Sequence, residues 1–223
     1  MARETLSREQ IVTATIELLD AEGIEALSMR RLGQQLGSAA TSMYWHVGNK
    51  ENLVVLAGDH AWSEVELPDI EQNGWRDAAA ALARNTYEML TRHHWLVTAT
   101  STHDVYGPGM ARYQDHNYAI YETAGFEGTD LDWAYNTVFH FVLGVAVGES
   151  QRTVMLARLS KAGDAEMVDR ARRAEEIAGE FPRLKARIEA TSTNDPAAAT
   201  RDSFDYGIET ILDGLEERLA RLG

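Results

Sequence analysis

Ile11, Thr15, Leu18 and Leu19 return every three or four positions, the period of one face of an α-helix. Ser7 stands ahead of this stripe and begins Ser-Arg-Glu-Gln, a capping box, with Leu6 and Ile11 placed as a hydrophobic staple and Gly23 placed to end the helix. The same signals recur twice. Ser28 precedes a second short stripe, Leu32 and Leu36, with Leu27 and Leu32 as its staple. Asn49 opens another helix, with Val47 and Leu53 as the staple. Between these two, Gly37 allows a turn of about three residues before a very short helix over roughly 40–46. Nothing in this part of the chain alternates with the period of two that marks a strand.

From Trp62 onward the pattern is helical segments separated by Pro and Gly breaks. Residues 68–74 read as a loop and 75–95 as a helix. Gly107-Pro108-Gly109 breaks the chain, 110–124 is helical and stops at Gly125, and Thr129 or Asp130 caps a long helix reaching towards Leu159. Residues 161–164 and 192–196 read as further breaks around a charged segment. The fold class is all-α. Two helices are patterned for self-association. Phe204, Ile208, Ile211, Leu215 and Leu222 form a heptad-like seam on the last helix. The helix over 133–148 is apolar on most sides, so one face is expected to meet its own bundle and the other a second subunit.

Composition narrows what such a helical protein does. At 223 residues, 44% hydrophobic and 25% charged, the chain has the balance of a soluble globular protein. It contains no cysteine, which excludes a disulfide scaffold, thiolate-bound zinc, an iron–sulfur cluster and thiol catalysis. The longest weakly polar stretch, 133–148, is too short and too polar to span a bilayer, and the first thirty residues lack the apolar run of a secretory signal. A cytoplasmic protein with no membrane partner is expected.

The net charge of −14 at first argues against nucleic acid as a partner. It is unevenly divided: residues 1–50 carry a net of −1 and residues 51–223 a net of −13. Residues 26–50 contain no acid and three bases, and only Tyr44 and Trp45 among the 18 aromatic residues precede position 62. Two bodies are therefore expected: 1–50 with a linker helix over about 49–64, and 65–223.

A short helix, a glycine-containing turn and a second short helix make a helix-turn-helix, whose second helix enters a major groove. The side chains expected there are small, hydrogen-bonding or flat, and none is acidic. Thr41 and Ser42 suit base edges or a thymine methyl, Tyr44 and His46 suit phosphates, and Trp45 lies beside them. Arg30 suits a bidentate contact to guanine, and Lys50 a phosphate at a helix N-terminus. The runs Leu27-Ser-Met-Arg-Arg-Leu-Gly-Gln-Gln-Leu-Gly37 and Ser42-Met-Tyr-Trp-His-Val-Gly-Asn-Lys-Glu-Asn-Leu53 resemble the DNA-binding domain of the tetracycline-repressor (TetR) family. They carry its Tyr-Trp-His-Val variant rather than the Tyr-x-His-Phe usual in the family at large. The resemblance implies base or phosphate contact by Arg30, Thr41, Ser42, Tyr44, Trp45, His46 and Lys50. It also implies a three-helix DNA-binding domain followed by a larger ligand-binding and dimerisation domain. Ala40 and Thr41 stand where the repressor that names the family has glutamine and proline, so the resemblance does not transfer an operator sequence.

The expected function is a repressor that binds a palindromic operator as a homodimer and is released by a small organic ligand. Trp62, Tyr87, Trp95, Met110, Tyr113, Tyr118 and Tyr121 are candidate walls of the ligand cavity. His140 joins them because Phe139-His140-Phe141-Val142-Leu143-Gly144 resembles the corresponding family helix. No cofactor and no metal are expected: His103 and Glu149 fall one or two positions away from where the family's magnesium ligand would stand. Two alternatives remain, a helical protein that sequesters a small molecule without binding an operator and, last, an all-α enzyme. The enzyme is disfavoured because the chain has no Glu-x-x-His pair, no His-x-x-x-His pair, no Gly-x-Ser-x-Gly elbow and no phosphate-binding loop.

Overall fold

The computed structural model describes residues 6–191 and 196–222, and every regular element among them is helical. Four helices come first: α1 (Arg8–Glu22), α2 (Met29–Gln35), α3 (Ala40–Val47) and α4 (Lys50–Ser63), with one 3-10 turn (Ile24–Ala26) between α1 and α2. The caps form as their residue types demand. The Gln10 N–H donates to Ser7 Oγ at 3.1 Å while the Ser7 N–H donates to Gln10 Oε1 at 2.9 Å, which closes the capping box. Ser28 accepts from the Arg31 N–H, and Asn49 from the Asn52 N–H at 2.7 Å. Gly37, at φ 59°, makes the turn from α2 to α3 in the left-handed region that other residues enter at a cost. Ile11, Leu19, Leu32, Met43, Val47 and Leu53 are fully buried and form the core of this unit.

Seven further helices follow: α5 (Ile70–Arg92), α6 (His94–Thr102), α7 (Pro108–Ala124), α8 (Gly128–Ala162), α9 (Asp164–Gly179), α10 (Pro182–Thr191) and α11 (Pro196–Leu222). Three details differ from the expectation. Asp69 caps α5 five residues ahead of the expected start, and Gly74 (φ 72°) kinks it where the loop signal lay. His93 interrupts the helix expected over 75–95, so α6 is a separate element. The charged segment after Gly163 forms the pair α9 and α10, which pack on each other, with α9 also lying against the end of α8. No helix among the described residues is long and apolar enough to cross a membrane.

Helix α8 buries Ala134, Val138, Val142 and Ala146 against the bundle that includes α5, and α11 packs on both helices. Phe204, Ile208 and Leu215 of the heptad-like seam are buried within the single protomer, together with Leu212; Ile211 is half-buried, and the Leu222 side chain lies outside the described residues. Phe204 stacks on Tyr87 at 4.6 Å, and Gly207 admits Phe141 so closely that a Cβ there would stand 2.2 Å from its ring. A seam with heptad spacing cannot reveal whether its partner belongs to the same chain. The outward faces of these helices carry Trp133, Thr137, His140, Gly144 and Gly148 on α8 and Tyr206, Thr210 and Gly214 on α11.

Candidate functional site

Helix α3 is held by its inward side chains and presents its others. Met43 and Val47 are completely buried, whereas Tyr44 is 48% and Trp45 91% exposed, and His46 also faces outward. An indole in water with no internal packing role is the kind of apolar exposure that marks a contact surface. Ser42 is half-buried; the Thr41 side chain lies outside the described residues. Arg30 projects outward from the first turn of α2, while its neighbour Arg31 is engaged by Glu22 of α1. Lys50 is half-buried at the first position of α4, beside the Asn49 cap. The exposed side chains of α3 therefore combine hydrogen-bonding and flat groups with no negative charge.

Helix α4 runs from this surface into the larger helical part and is tied at both ends. At its start, Asn52 Nδ2 donates to the Val47 carbonyl at 2.9 Å, coupling α4 to α3. At its far end, Arg112 of α7 donates to the Ser63 and Val65 carbonyls at 3.0 and 2.7 Å, a cation at a helix C-terminus. Asp59 accepts from the Met110 N–H at 3.1 Å and so caps the N-terminus of α7. Gly109 makes that approach possible, because a Cβ there would stand 2.2 Å from the Asp59 carbonyl oxygen.

A second tie spans three elements. The His93 side chain, 3% exposed, sits with Nδ1 2.8 Å from Asp20 Oδ1 of α1 and Nε2 3.1 Å from Glu64 Oε2, just past α4. The Trp95 indole N–H donates to the same Asp20 oxygen at 2.7 Å, and Arg92 pairs with Glu64 at 2.9 Å. Sequence reasoning missed this cluster, since its partners His93 and Trp95 stand 29 to 75 residues from the acids they meet.

The aromatic candidates divide. Trp62 of α4 and Tyr113 of α7 come together, with ring centroids 4.8 Å apart, and both lie 6.3 Å from Phe139 of α8. Tyr135 stacks on Phe139 at 5.7 Å and reaches Tyr118 at 5.3 Å, whose hydroxyl donates to Asp132. Tyr121 is buried beside Phe126, which meets Trp75 edge-on, and Met110 is half-buried in the first turn of α7. The other three stand elsewhere: Tyr87 on Phe204, Trp95 against α1, and His140 on the outward face of α8. Phe139 and Tyr135 are cluster members that the candidate set lacked. Their spacing of four on one helix was the signal available.

Burial pushes the phenol of Tyr113 up, partly opposed by hydrogen bonds with Thr86 and Asn117. Burial likewise raises Tyr121 and Tyr135, with neighbouring phenols adding to the shift. These phenols stay neutral hydrogen-bonding groups at physiological pH. His103 pairs with Thr102, and Glu149 with Arg152.

The sequence profile described as "Bacterial regulatory proteins, tetR family" matches residues 11–57, and "Tetracyclin repressor-like, C-terminal domain" matches residues 67–219. An HTH-type transcriptional regulator of Saccharopolyspora erythraea is 37% identical over 145 residues, 65% of this chain and about three fifths (61%) of that protein's length. The HTH-type transcriptional repressor DrrR1 of Streptomyces coeruleorubidus is 28% identical over 98% of this chain and 80% of its own. Among solved structures, apo ActR of Streptomyces coelicolor superposes with a TM-score of 0.76 at 25% identity, covering 100% of both chains. ActR in complex with actinorhodin gives 0.74 at 26% identity, covering 96% of both.

Proposed function

This chain belongs to the TetR family of bacterial regulatory proteins, and from that premise we propose that it is a repressor acting as a homodimer on a palindromic operator. It is a DNA-binding transcriptional regulator, not an enzyme. In the proposed division, residues 1–50 read DNA, α4 links, and 65–223 bind effector and dimerise. Arg30, Thr41, Ser42, Tyr44, Trp45, His46 and Lys50 make the base and phosphate contacts. The observation that carries this reading is the exposure of Tyr44 and Trp45 on a helix whose Met43 and Val47 are buried.

The dimer forms through the outward faces of α8 and α11, where a Cβ added at Gly144, Gly148 or Gly214 would meet nothing within 4 Å and a second copy can approach closely. Two-fold symmetry then presents two copies of α3 to the two halves of a palindrome. The effector is a small organic molecule that enters between Trp62, Tyr113, Tyr118 and Tyr121. The solved complex of ActR with actinorhodin supports this kind of ligand, and the position of Trp62 on α4 supplies the route to the DNA-reading unit. An effector that favours a different seating of α4 shifts the dimer away from the spacing the operator requires.

Fluorescence anisotropy with duplexes from the DNA upstream of the protein's own gene tests the proposal. The expected result is binding well above that to random duplex, weakened by Arg30→Ala and by Tyr44→Ala. Equal affinity for random duplex, or unchanged affinity in both variants, would overturn it.

A further inference from the structure

Trp62 is 2% exposed, and its indole Nε1 is the one buried side-chain nitrogen or oxygen among the described residues that has no hydrogen-bond partner. Buried donors are almost always paired, because burial strips away the partner that water supplied. No side chain on the neighbouring helices accepts from it. Thr86 Oγ1 donates to the Leu82 carbonyl at 2.7 Å, and Asn117 Nδ2 to the Tyr113 carbonyl at 3.1 Å. The indole is thus a donor in a wall of rings: Tyr113 at 4.8 Å, Phe139 at 6.3 Å, and Tyr135 beyond.

The chemistry around it constrains an occupant. The buried polar side chains of the described residues are Thr15, Thr86, His93, Asn117 and Ser150, and of these only Thr86 and Asn117 hydrogen-bond with Tyr113 of the cluster. Neither is charged, and the carboxylate that the cluster meets at its edge is Asp132, which accepts from the Tyr118 hydroxyl. An anionic group entering between these rings would therefore lose its hydration without gaining a counter-ion. Flat rings favour a flat partner. Resting on the reading of this cluster as the effector site, we propose that the Trp62 N–H donates to a carbonyl oxygen of the effector. The effector is accordingly a flat aromatic ketone or quinone rather than an acid or a plain hydrocarbon. Trp62 also lies three residues after Asp59, which caps α7, and two before Glu64, which holds His93. A ligand oxygen bonded to Trp62 therefore acts on the segment of α4 that carries its ties to the core.

The test uses the full-length chain and a matched pair of probes, 9-fluorenone and fluorene, which share a frame and differ in the carbonyl. The protein is labelled with ¹⁵N at the tryptophan indoles, and the Trp62 resonance is identified by its loss in Trp62→Phe. Fluorenone is expected to move the Trp62 indole proton downfield, and its calorimetric affinity to fall about tenfold in Trp62→Phe. Fluorene is expected to leave that resonance unbonded in character and to bind both proteins alike. Fluorenone that binds the wild-type chain with the Trp62 proton unmoved overturns the assignment of the donor, and fluorenone that fails to bind overturns the ligand class. Operator affinity of the probe-free protein, measured in parallel, reports on the regulator reading alone. Specific operator binding with an unmoved Trp62 proton sinks the inference and leaves that reading standing.

Discussion

Replacing His93 by alanine cuts a buried side chain that touches both Asp20 of α1 and Glu64 at the end of α4. Hydrogen bonds to charged groups contribute about 1.5–3 kcal/mol each. The two carboxylates are 31% and 29% exposed, which moves each bond towards the low end of that range. Neither acid is orphaned by the change, since Asp20 keeps the Trp95 N–H and Glu64 keeps Arg92. His93→Ala is therefore expected to cost about 3 kcal/mol from the two bonds alone, with the lost packing of a buried ring adding to it. Part of that cost belongs to the pair with Asp20, and a double-mutant cycle isolates it. Urea unfolding of the wild type, His93→Ala, Asp20→Ala and the double variant, at one fixed protomer concentration, is expected to give a coupling of about 1.5 kcal/mol. Costs that add within about 0.5 kcal/mol would show that the ring does not bind α1 to the core, and would refute the reasoning.

Trp45→Ala is expected to leave stability within about 0.5 kcal/mol of wild type, because the indole packs against nothing internal, while operator affinity falls about tenfold; a thermal melt and an anisotropy titration together check this, and unchanged affinity contradicts it. Gly109→Ala is expected to lose about 2–3 kcal/mol in urea, since a Cβ 2.2 Å from the Asp59 carbonyl meets backbone that cannot swing aside. A wild-type midpoint for Gly109→Ala would mean that α4 and α7 do not approach as described. In an alkaline titration followed by tyrosinate absorbance, Tyr113, Tyr121 and Tyr135 are expected to ionise well after the exposed phenols. Their folded pKa values lie above the unfolded value near 10, so their contribution to stability is intact below pH 10 and is lost as pH climbs above it. All eight tyrosines titrating together in the folded protein would contradict the burial of these three.

The first four helices were legible because their signals are local. For α1, α2 and α4 a capping serine or asparagine and its staple sit within a few positions of the helix start, and those caps formed. Helix α3 starts after Ala39 with no side-chain cap and was marked by the glycine turn before it. The long-range ties were not legible. His93 looks like one of two adjacent histidines on a helix, and only the fold brings Asp20, 73 residues earlier, to its ring. The aromatic candidates show the same limit. Composition after position 62 supplied the rings, but Tyr87 went to Phe204 and Trp95 to Asp20, each claimed by a partner remote in sequence. Phe204, Ile208 and Leu215 marked a genuine apolar seam, and the choice between an internal and a subunit partner lay in how α11 is rotated against α5 and α8.

The central claim is that a symmetric dimer reads DNA through α3. Selection of bound duplexes from a random library by the full-length chain tests it with no operator sequence supplied in advance. The account predicts enrichment of an inverted repeat whose half-site centres lie about one helical turn, roughly 34–36 Å, apart. It also predicts loss of that enrichment in Tyr44→Ala. A selected pool with no inverted repeat, or one that Tyr44→Ala enriches equally well, would contradict it.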